Sequence, residues 1–270
     1  MFLAHKSLLS NTEYHVLNQY DRKKVLVNNE GSFHLVSNIC THQHSIISVE
    51  HGKGNRVCPY HNWSFNISGI PVSSGRTEYY CKNTTPLSNE PVYEWNSLLF
   101  SVPVDFKIDT DFTNMKLMES RIDKVKTNHK NIMDLFLDVD HIPTVHRGVY
   151  DRIGIRDTNV EWKHYENGSV QTVQQGALWI AVYPYTMIEW QKGALFVTTA
   201  LPAANNESIV YVHKYCDPSY MNDWTLNEDV WETAWYQDRQ QAELITTTAQ
   251  RNLEPQKIHF REYMKRNGIN

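Results

Sequence analysis

Two short motifs carry chemistry in the first hundred residues. Cys40-Thr41-His42 is followed, after fifteen residues, by Cys58-Pro59-Tyr60-His61. Each offers one thiol and one imidazole on a tight loop. Thiolates suit iron in a cluster, and two imidazoles replacing two thiolates on one iron of a 2Fe–2S cluster raise its potential, because imidazole is a neutral donor. Zinc also accepts two Cys and two His. A zinc finger, however, groups its cysteines in one half and its histidines in the other, whereas here each half holds one of each. The order Cys-x-His and Cys-x-x-His therefore predicts a 2Fe–2S cluster on Cys40, His42, Cys58 and His61. His44 and His51 read as loop residues.

The run Cys58-Pro59-Tyr60-His61-Asn62-Trp63 resembles the Cys-x-Tyr-His-x-Trp half-site of the Rieske non-haem iron oxygenases, and Cys40-Thr41-His42 resembles their Cys-x-His half. Rieske proteins of quinol-oxidising complexes add a disulfide-forming cysteine to each loop and a membrane helix. Here Ser45 and Tyr60 stand where those cysteines would be. A second stretch, Asn128 to His146, resembles the iron-binding segment of the same oxygenases, Asp-x-x-His-x-x-x-x-His near a helix end. The resemblance implies that His141 and His146 are ligands of a mononuclear Fe(II), and that Asp138 is the catalytic acid linking the two metal centres. It also implies a late helical Asp followed by Glu five residues on, which fits Asp238 and Glu243. Asp229, Glu232 and Glu243 are nearby carboxylates that compete for that third position. Family members usually carry Asn three residues before the linking Asp, and Leu135 stands there in this chain.

The elements that must position these residues fall into two styles. Residues 1 to about 105 read as short strands and turns. Lys24–Asn28 and Phe33–Asn38 are strands around an Asn29-Glu30-Gly31 turn, and Tyr93–Val102 is a hairpin folded at Asn96-Ser97. Thr127–Asp140 places Ile132, Leu135, Phe136 and Val139 at helical spacing. Five residues turn an ideal helix by about 500°, so the His141 and His146 rings would diverge by roughly 140°. Pro143 is therefore predicted to end or kink the helix and let them converge. Strands follow at Asn159–Tyr165, Val170–Gln174, Leu178–Tyr183, Met187–Trp190, Ala194–Leu201 and Ser208–Tyr215, then a long helix near Asn227–Ala249 and a short one from Pro255 to Lys265. The fold class is α+β: an N-terminal all-β domain over 1–105, then an antiparallel-sheet domain with flanking helices over 106–270, helix-grip-like. The boundary is placed in the Asp/Lys/Thr stretch near residues 103–120.

A net charge of −4 gives no footprint for nucleic acid or an anionic membrane. The longest apolar run, Ala177 to Tyr183, has the length of a buried strand and falls well short of a membrane span. Four cysteines (Cys40, Cys58, Cys81 and Cys216) are too sparse for a secreted disulfide scaffold, so the expected compartment is the cytoplasm. No Gly-rich dinucleotide fingerprint is present, so electrons must come from an external ferredoxin or flavin reductase fed by NAD(P)H. The resemblance implies hydroxylation, ring dioxygenation or oxidative demethylation of a small organic substrate with O2, in a head-to-tail homotrimer. Trp179, Trp190, Phe196 and Tyr183 are candidate pocket walls, with ordinary core packing as the equal alternative. The competing function is a Rieske electron-transfer protein whose second domain binds without catalysis. That protein would have no use for His141, His146 and Asp238.

Overall fold

The structure is a computed structural model that describes residues 1–74, 85–155, 160–173, 176–245 and 255–269. The chain divides into two compact units, Phe2–Asp105 and Phe106–Asn270. Cys81, Asn159, Gln174 and the proposed helical stretch 246–249 lie outside the described residues.

Among the described residues the first unit contains ten short strands: β1 Phe2–His5, β2 Tyr14–Val16, β3 Lys24–Asn29, β4 Ser32–Ser37, β5 Arg56–Val57, β6 Ser64–Phe65, β7 Pro71–Ser73, β8 Asn89–Pro91, β9 Tyr93–Trp95 and β10 Leu98–Phe100. They form three sheets, ordered β2-β3-β4-β8, β1-β10-β9 and β5-β6-β7. The β9–β10 hairpin turns at Asn96 and Ser97, both at positive φ (49° and 66°), which matches the right-handed twist of the strands it joins. Val25 and Val27 alternate inward from β3 and pack with Val36, Ile47 and Phe65 in a core that also holds Cys40 and Cys58.

The second unit is built on one antiparallel sheet. Its strands are β11 Lys116–Val125, β12 Val160–Tyr165, β13 Gly168–Val173, β14 Ala177–Val182, β15 Thr186–Gln191, β16 Ala194–Pro202 and β17 Ser208–Cys216, in the order β11-β17-β16-β15-β14-β13-β12. Among the described residues four α-helices accompany it: α1 His129–Phe136, α2 Ile142–Val145, α3 Trp224–Leu244 and α4 Pro255–Arg266. The register aligns Gln171, Trp179, Glu189, Phe196 and Lys214 as one row across five strands, all on one face. Helix α3 lies on that face. Trp231 stacks on Phe196 with ring centroids 4.9 Å apart, and Trp235 follows one turn later. Asp238 is three residues beyond Trp235, so the same stripe that seats the helix turns Asp238 inward. Among the described residues no helix is long and apolar enough to cross a membrane.

Three expectations are corrected. The helix predicted for Thr127–Asp140 covers only His129–Phe136, begun by Asn128, whose side chain accepts the Lys130 N–H. The helix breaks at Leu137 and Asp138, ahead of both histidines, and not at Pro143, which sits in the first turn of α2 where its missing N–H is harmless. Finally, the sequence suggested no strand between residues 103 and 125, whereas β11 runs over Lys116–Val125, overlapping the end of the stretch in which the boundary was placed. It was hidden because its pattern is inverted. Glu119, Arg121 and Asp123 are its inward, half-buried residues, while Met118 and Ile122 are exposed.

Candidate metal centres

The two Cys/His motifs occupy loops of the same construction. In the first, the Cys40 N–H donates to Ser45 O (2.9 Å) and the His44 N–H to Cys40 O (2.9 Å). In the second, the Cys58 N–H donates to Trp63 O (2.7 Å) and the Asn62 N–H to Cys58 O (2.9 Å). The fifth loop residue, His44 or Asn62, takes a positive φ in each (57° and 58°). Strand pairing closes both loops just outside, Ile39 with Ile46 and Val57 with Ser64. Across the two loops like ligands meet. The Cys40 and Cys58 side chains hydrogen-bond each other, and the His42 and His61 rings lie 4.7 Å apart. Both cysteines are buried and both histidines are exposed. Burial pushes the Cys40 thiol up, so an apposed pair of thiols here gains from iron that takes them as thiolates. The pairing fits a cluster with a two-thiolate iron and a two-imidazole iron. Trp63 stacks flat on His42 at 4.4 Å and fixes that ring.

The second group forms in the other unit. Asp138 caps a 3-10 turn, Val139–His141, by accepting the Asp140 N–H (3.1 Å), and His141 is the last residue of that turn. His146 ends α2, and its Nε2 comes within 3.0 Å of His141 Nε2. Asp238 Oδ1 lies 3.3 Å from the His141 nitrogen and 3.0 Å from the His146 nitrogen. The Nδ1 atom of His141 donates to the Asp138 main-chain carbonyl, and that of His146 to Gln237 Oε1 (2.8 Å). Each ring spends its Nδ1 proton outward, so each turns an Nε2 lone pair toward the same point. Asp238 Oδ1 is buried with no N–H directed at it. Three lone-pair donors so close together require positive charge between them. Protons on the imidazoles can supply that charge: burial pushes the Asp238 carboxyl up, but hydrogen bonds and charge from protonated His141 and His146 hold it low. Burial likewise lowers His146, and Asp238 more than restores it. The donor set fits a divalent cation.

The Rieske [2Fe-2S] domain family matches residues 1–78. The chain is 26% identical over 232 residues to putrescine 2-hydroxylase of Ralstonia nicotianae, covering 70% of this chain and 62% of that protein. It is 23% identical over 271 residues to the chloroplastic choline monooxygenase of Arabidopsis thaliana, covering 84% and 63%. The chain thus spans a little over three fifths of the length of these curated relatives. Among solved structures, the quaternary ammonium Rieske monooxygenase CntA superposes with a TM-score of 0.76 at 15% identity, covering 100% of this chain and 88% of that one. NdmA of Pseudomonas putida CBB5 gives 0.56 at 12% identity, covering 90% and 79%. Residues 1–78 carry a Rieske [2Fe-2S] domain, and the chain has the fold of the solved Rieske oxygenases. The α+β architecture read from the sequence is the one observed.

Around the second group, the chain departs from sequence expectation in two respects. Asp138 meets His141 through its main-chain carbonyl, while its carboxylate pairs with Lys257 Nζ at 2.7 Å. A small cavity beside Asp238 is walled by Leu135, Phe136, Met187, Glu189 and Trp235, among others. None of the four aromatics proposed as walls lines it. Trp179 packs with Tyr150 and Ile153, Phe196 lies under Trp231, Tyr183 lies against Phe260, and Trp190 alternates to the face opposite Glu189. Residues that sequence reasoning missed are Gln237, Lys257, Tyr150 and Glu189. Glu189 had a readable signal: a lone acid in the strand Thr186–Gln191, whose Met187 and Ile188 are core residues. Its Oε1 accepts from Trp231 Nε1 (2.8 Å), and burial pushes its carboxyl up to about 7. A further acidic group, Glu119, Glu228 and Glu232, holds the Lys214 ammonium instead of a metal.

Proposed function

We propose that this chain is a Rieske-type non-haem iron oxygenase. It would take electrons from an external ferredoxin or flavin reductase fed by NAD(P)H and use O2 to hydroxylate or oxidatively demethylate a small organic substrate. The convergence of His141, His146 and Asp238 beside a cavity, in a chain that also carries the Rieske motif, is the observation behind this reading. A mere electron carrier has no need of such a triad. Two His and one carboxylate on one face leave positions free for O2 and substrate, and ferrous iron is the metal such a set suits. When bound, that iron would supply oxygen activation and the cluster single electrons.

The protein's own residues have separable tasks in this reading. Cys40, Cys58, His42 and His61 would hold the cluster. Gln237 and the Asp138 carbonyl orient the ligand imidazoles. Phe136, Leu135 and Met187 exclude water from the cavity. The Asp138 carboxylate would be the link between centres, within a head-to-tail homotrimer of the closing kind. Putrescine and choline, named for the relatives, and the quaternary ammonium compounds named for CntA carry cationic nitrogen. The caffeine and theobromine named with NdmA are uncharged. The choice between these classes falls to the pocket's own chemistry.

The test is iron and acid-labile sulfide per chain after anaerobic purification, with light scattering on the same sample for the trimer. Wild type should hold about three irons and two sulfides, and His141→Ala/His146→Ala about two irons with the sulfide unchanged. Two irons in both, after ferrous reconstitution, would favour the electron-transfer reading. Asp138→Asn should keep full iron and sulfide yet slow turnover by about 10–100-fold, the usual cost of losing a partner just outside the ligands. Normal turnover in that variant would rule out the link.

A further inference from the structure

We propose that helix α4 clamps the second metal site: Gln256 and Lys257 fix the Leu137–Asp138 turn, and through it the His141 imidazole, so both are positioning residues for the metal. The inference rests on the oxygenase reading only in taking His141, His146 and Asp238 as metal ligands.

The buried face of α4 is unusual at one end. Gln256, Lys257, Phe260 and Met264 are its buried residues and form one stripe at helical spacing. Phe260 and Met264 enter the apolar core. Gln256 and Lys257 are only 6% and 9% exposed, and a lysine is rarely so buried without a partner. Their partners lie side by side at the break after α1. Gln256 Nε2 donates to the Leu137 carbonyl (3.1 Å), one of those that a helix end leaves without a donor of its own. Lys257 Nζ donates to Asp138 Oδ2 (2.7 Å). One turn on, Arg261 pairs with Asp134 of α1 and docks the helix.

The two imidazoles explain why that break needs holding. His146 is oriented by a side chain, Gln237, which sits on the long helix α3. His141 is oriented by a main-chain carbonyl, that of Asp138. A carbonyl is aimed only as well as its own peptide is held. Asp138 has already left the helix, with φ −95° and ψ 96°. Its N–H donates to Leu135 O (3.0 Å) and its Oδ1 accepts the Asp140 N–H (3.1 Å), which are bonds within the turn. The bonds from α4 come from 119 residues along the chain and tie the turn to the domain. Gln256 holds the peptide before residue 138, and Lys257 holds the side chain. Loss of either leaves the Asp138 carbonyl, and the His141 ring with it, free to swing. Losing a partner just outside the ligands costs about 10–100-fold in metal affinity.

The experiment is equilibrium dialysis of the full chain against cobalt(II), under nitrogen, after a chelator has removed any mononuclear metal. Bound cobalt is counted apart from the cluster iron, and sulfide per chain checks that the cluster survives. Wild type should take up about one cobalt per chain that His141→Ala/His146→Ala does not. Lys257→Met and Gln256→Ala should each weaken that binding about tenfold or more with sulfide unchanged, and Lys257→Arg should hold it near wild type. Arg261→Gln supplies the structural control. It loosens α4 away from the turn, so it should lower the urea midpoint and spare the cobalt affinity. Unchanged affinity in both Lys257→Met and Gln256→Ala, or an equal loss in Arg261→Gln, would overturn the clamp and leave the metal site standing. Wild type that binds no more cobalt than His141→Ala/His146→Ala would overturn the site itself, and the clamp with it. Gln256→Ala leaves no charge unpaired, so it decides the matter if Lys257→Met fails to fold.

Discussion

Lys214→Met should lower the free energy of unfolding by about 3 kcal/mol, the lower end of the cost of breaking a buried ion pair. Lys214 stands on β17, opposite Phe196 and beside the inverted edge strand β11, and its side chain is 1% exposed. Its Nζ lies 2.6 Å from Glu119 and 2.8 Å from Glu228, contacts Glu232 as well, and sits 5.7 Å from the centre of the Trp231 ring. Burial alone would push this ammonium's pKa down, yet the three carboxylates hold it above its usual value, and Glu119 and Glu232 are held low in return. Methionine fills the same space but leaves Arg121 alone to face Glu119, Asp123 and Glu232. The carboxylates are about one-third exposed and can partly rehydrate, which keeps the estimate at the lower end. Urea unfolding of the two proteins at pH 7.5 checks it, since a lower midpoint at unchanged slope reads as lost stability. A difference under about 1 kcal/mol would mean that water already solvates the cluster. Trp231 also carries the hydrogen bond to Glu189, so the same charge cluster steadies the position of Glu189.

What the sequence disclosed depended on how local each cause is. The two Cys/His loops were legible because both are short and their geometry is nearly closed within six residues, as the matching hydrogen bonds of Cys40–Ser45 and Cys58–Trp63 show. The strands β12 to β17 were legible because each is apolar enough to announce itself. Strand β11 was not, because its inward side chains are charged and their partners, Lys214 and Glu232, lie far along the chain. The position of the helix break was missed for a related reason. Proline is the strongest local signal for an ending, but α1 stops at Phe136 and Asp138 then caps a new turn. The pocket walls were the least legible. Which aromatic faces a cavity depends on strand register and on where α3 lies, so Phe136 and Trp235 took the place expected of Trp179 and Phe196.

The second large effect is acid lability through His129. This residue opens α1, is 2% exposed, and has neither ring nitrogen hydrogen-bonded. Burial, with Lys130 and Arg261 nearby, lowers its pKa from 6.5 to about 4. The unfolded chain thus takes up this proton at a higher pH than the folded one. The neutral ring's contribution is complete above pH 6.5, is lost as pH falls toward 4, and changes no further below that. The whole window is worth about 3 kcal/mol, of which about 2 is gone by pH 5. Other groups titrate in the same range, so the measurement is a difference. His129→Leu, compared with wild type by urea unfolding at pH 7.5 and pH 5, should lose about 2 kcal/mol less on acidification. Leucine also removes two unpaired buried nitrogens, so the variant should be at least as stable as wild type at pH 7.5. Parallel losses in the two proteins would show that His129 finds a proton acceptor or water in the folded state. The stability of α1, which feeds directly into the turn carrying Asp138 and His141, would then have to be sought in its packing alone.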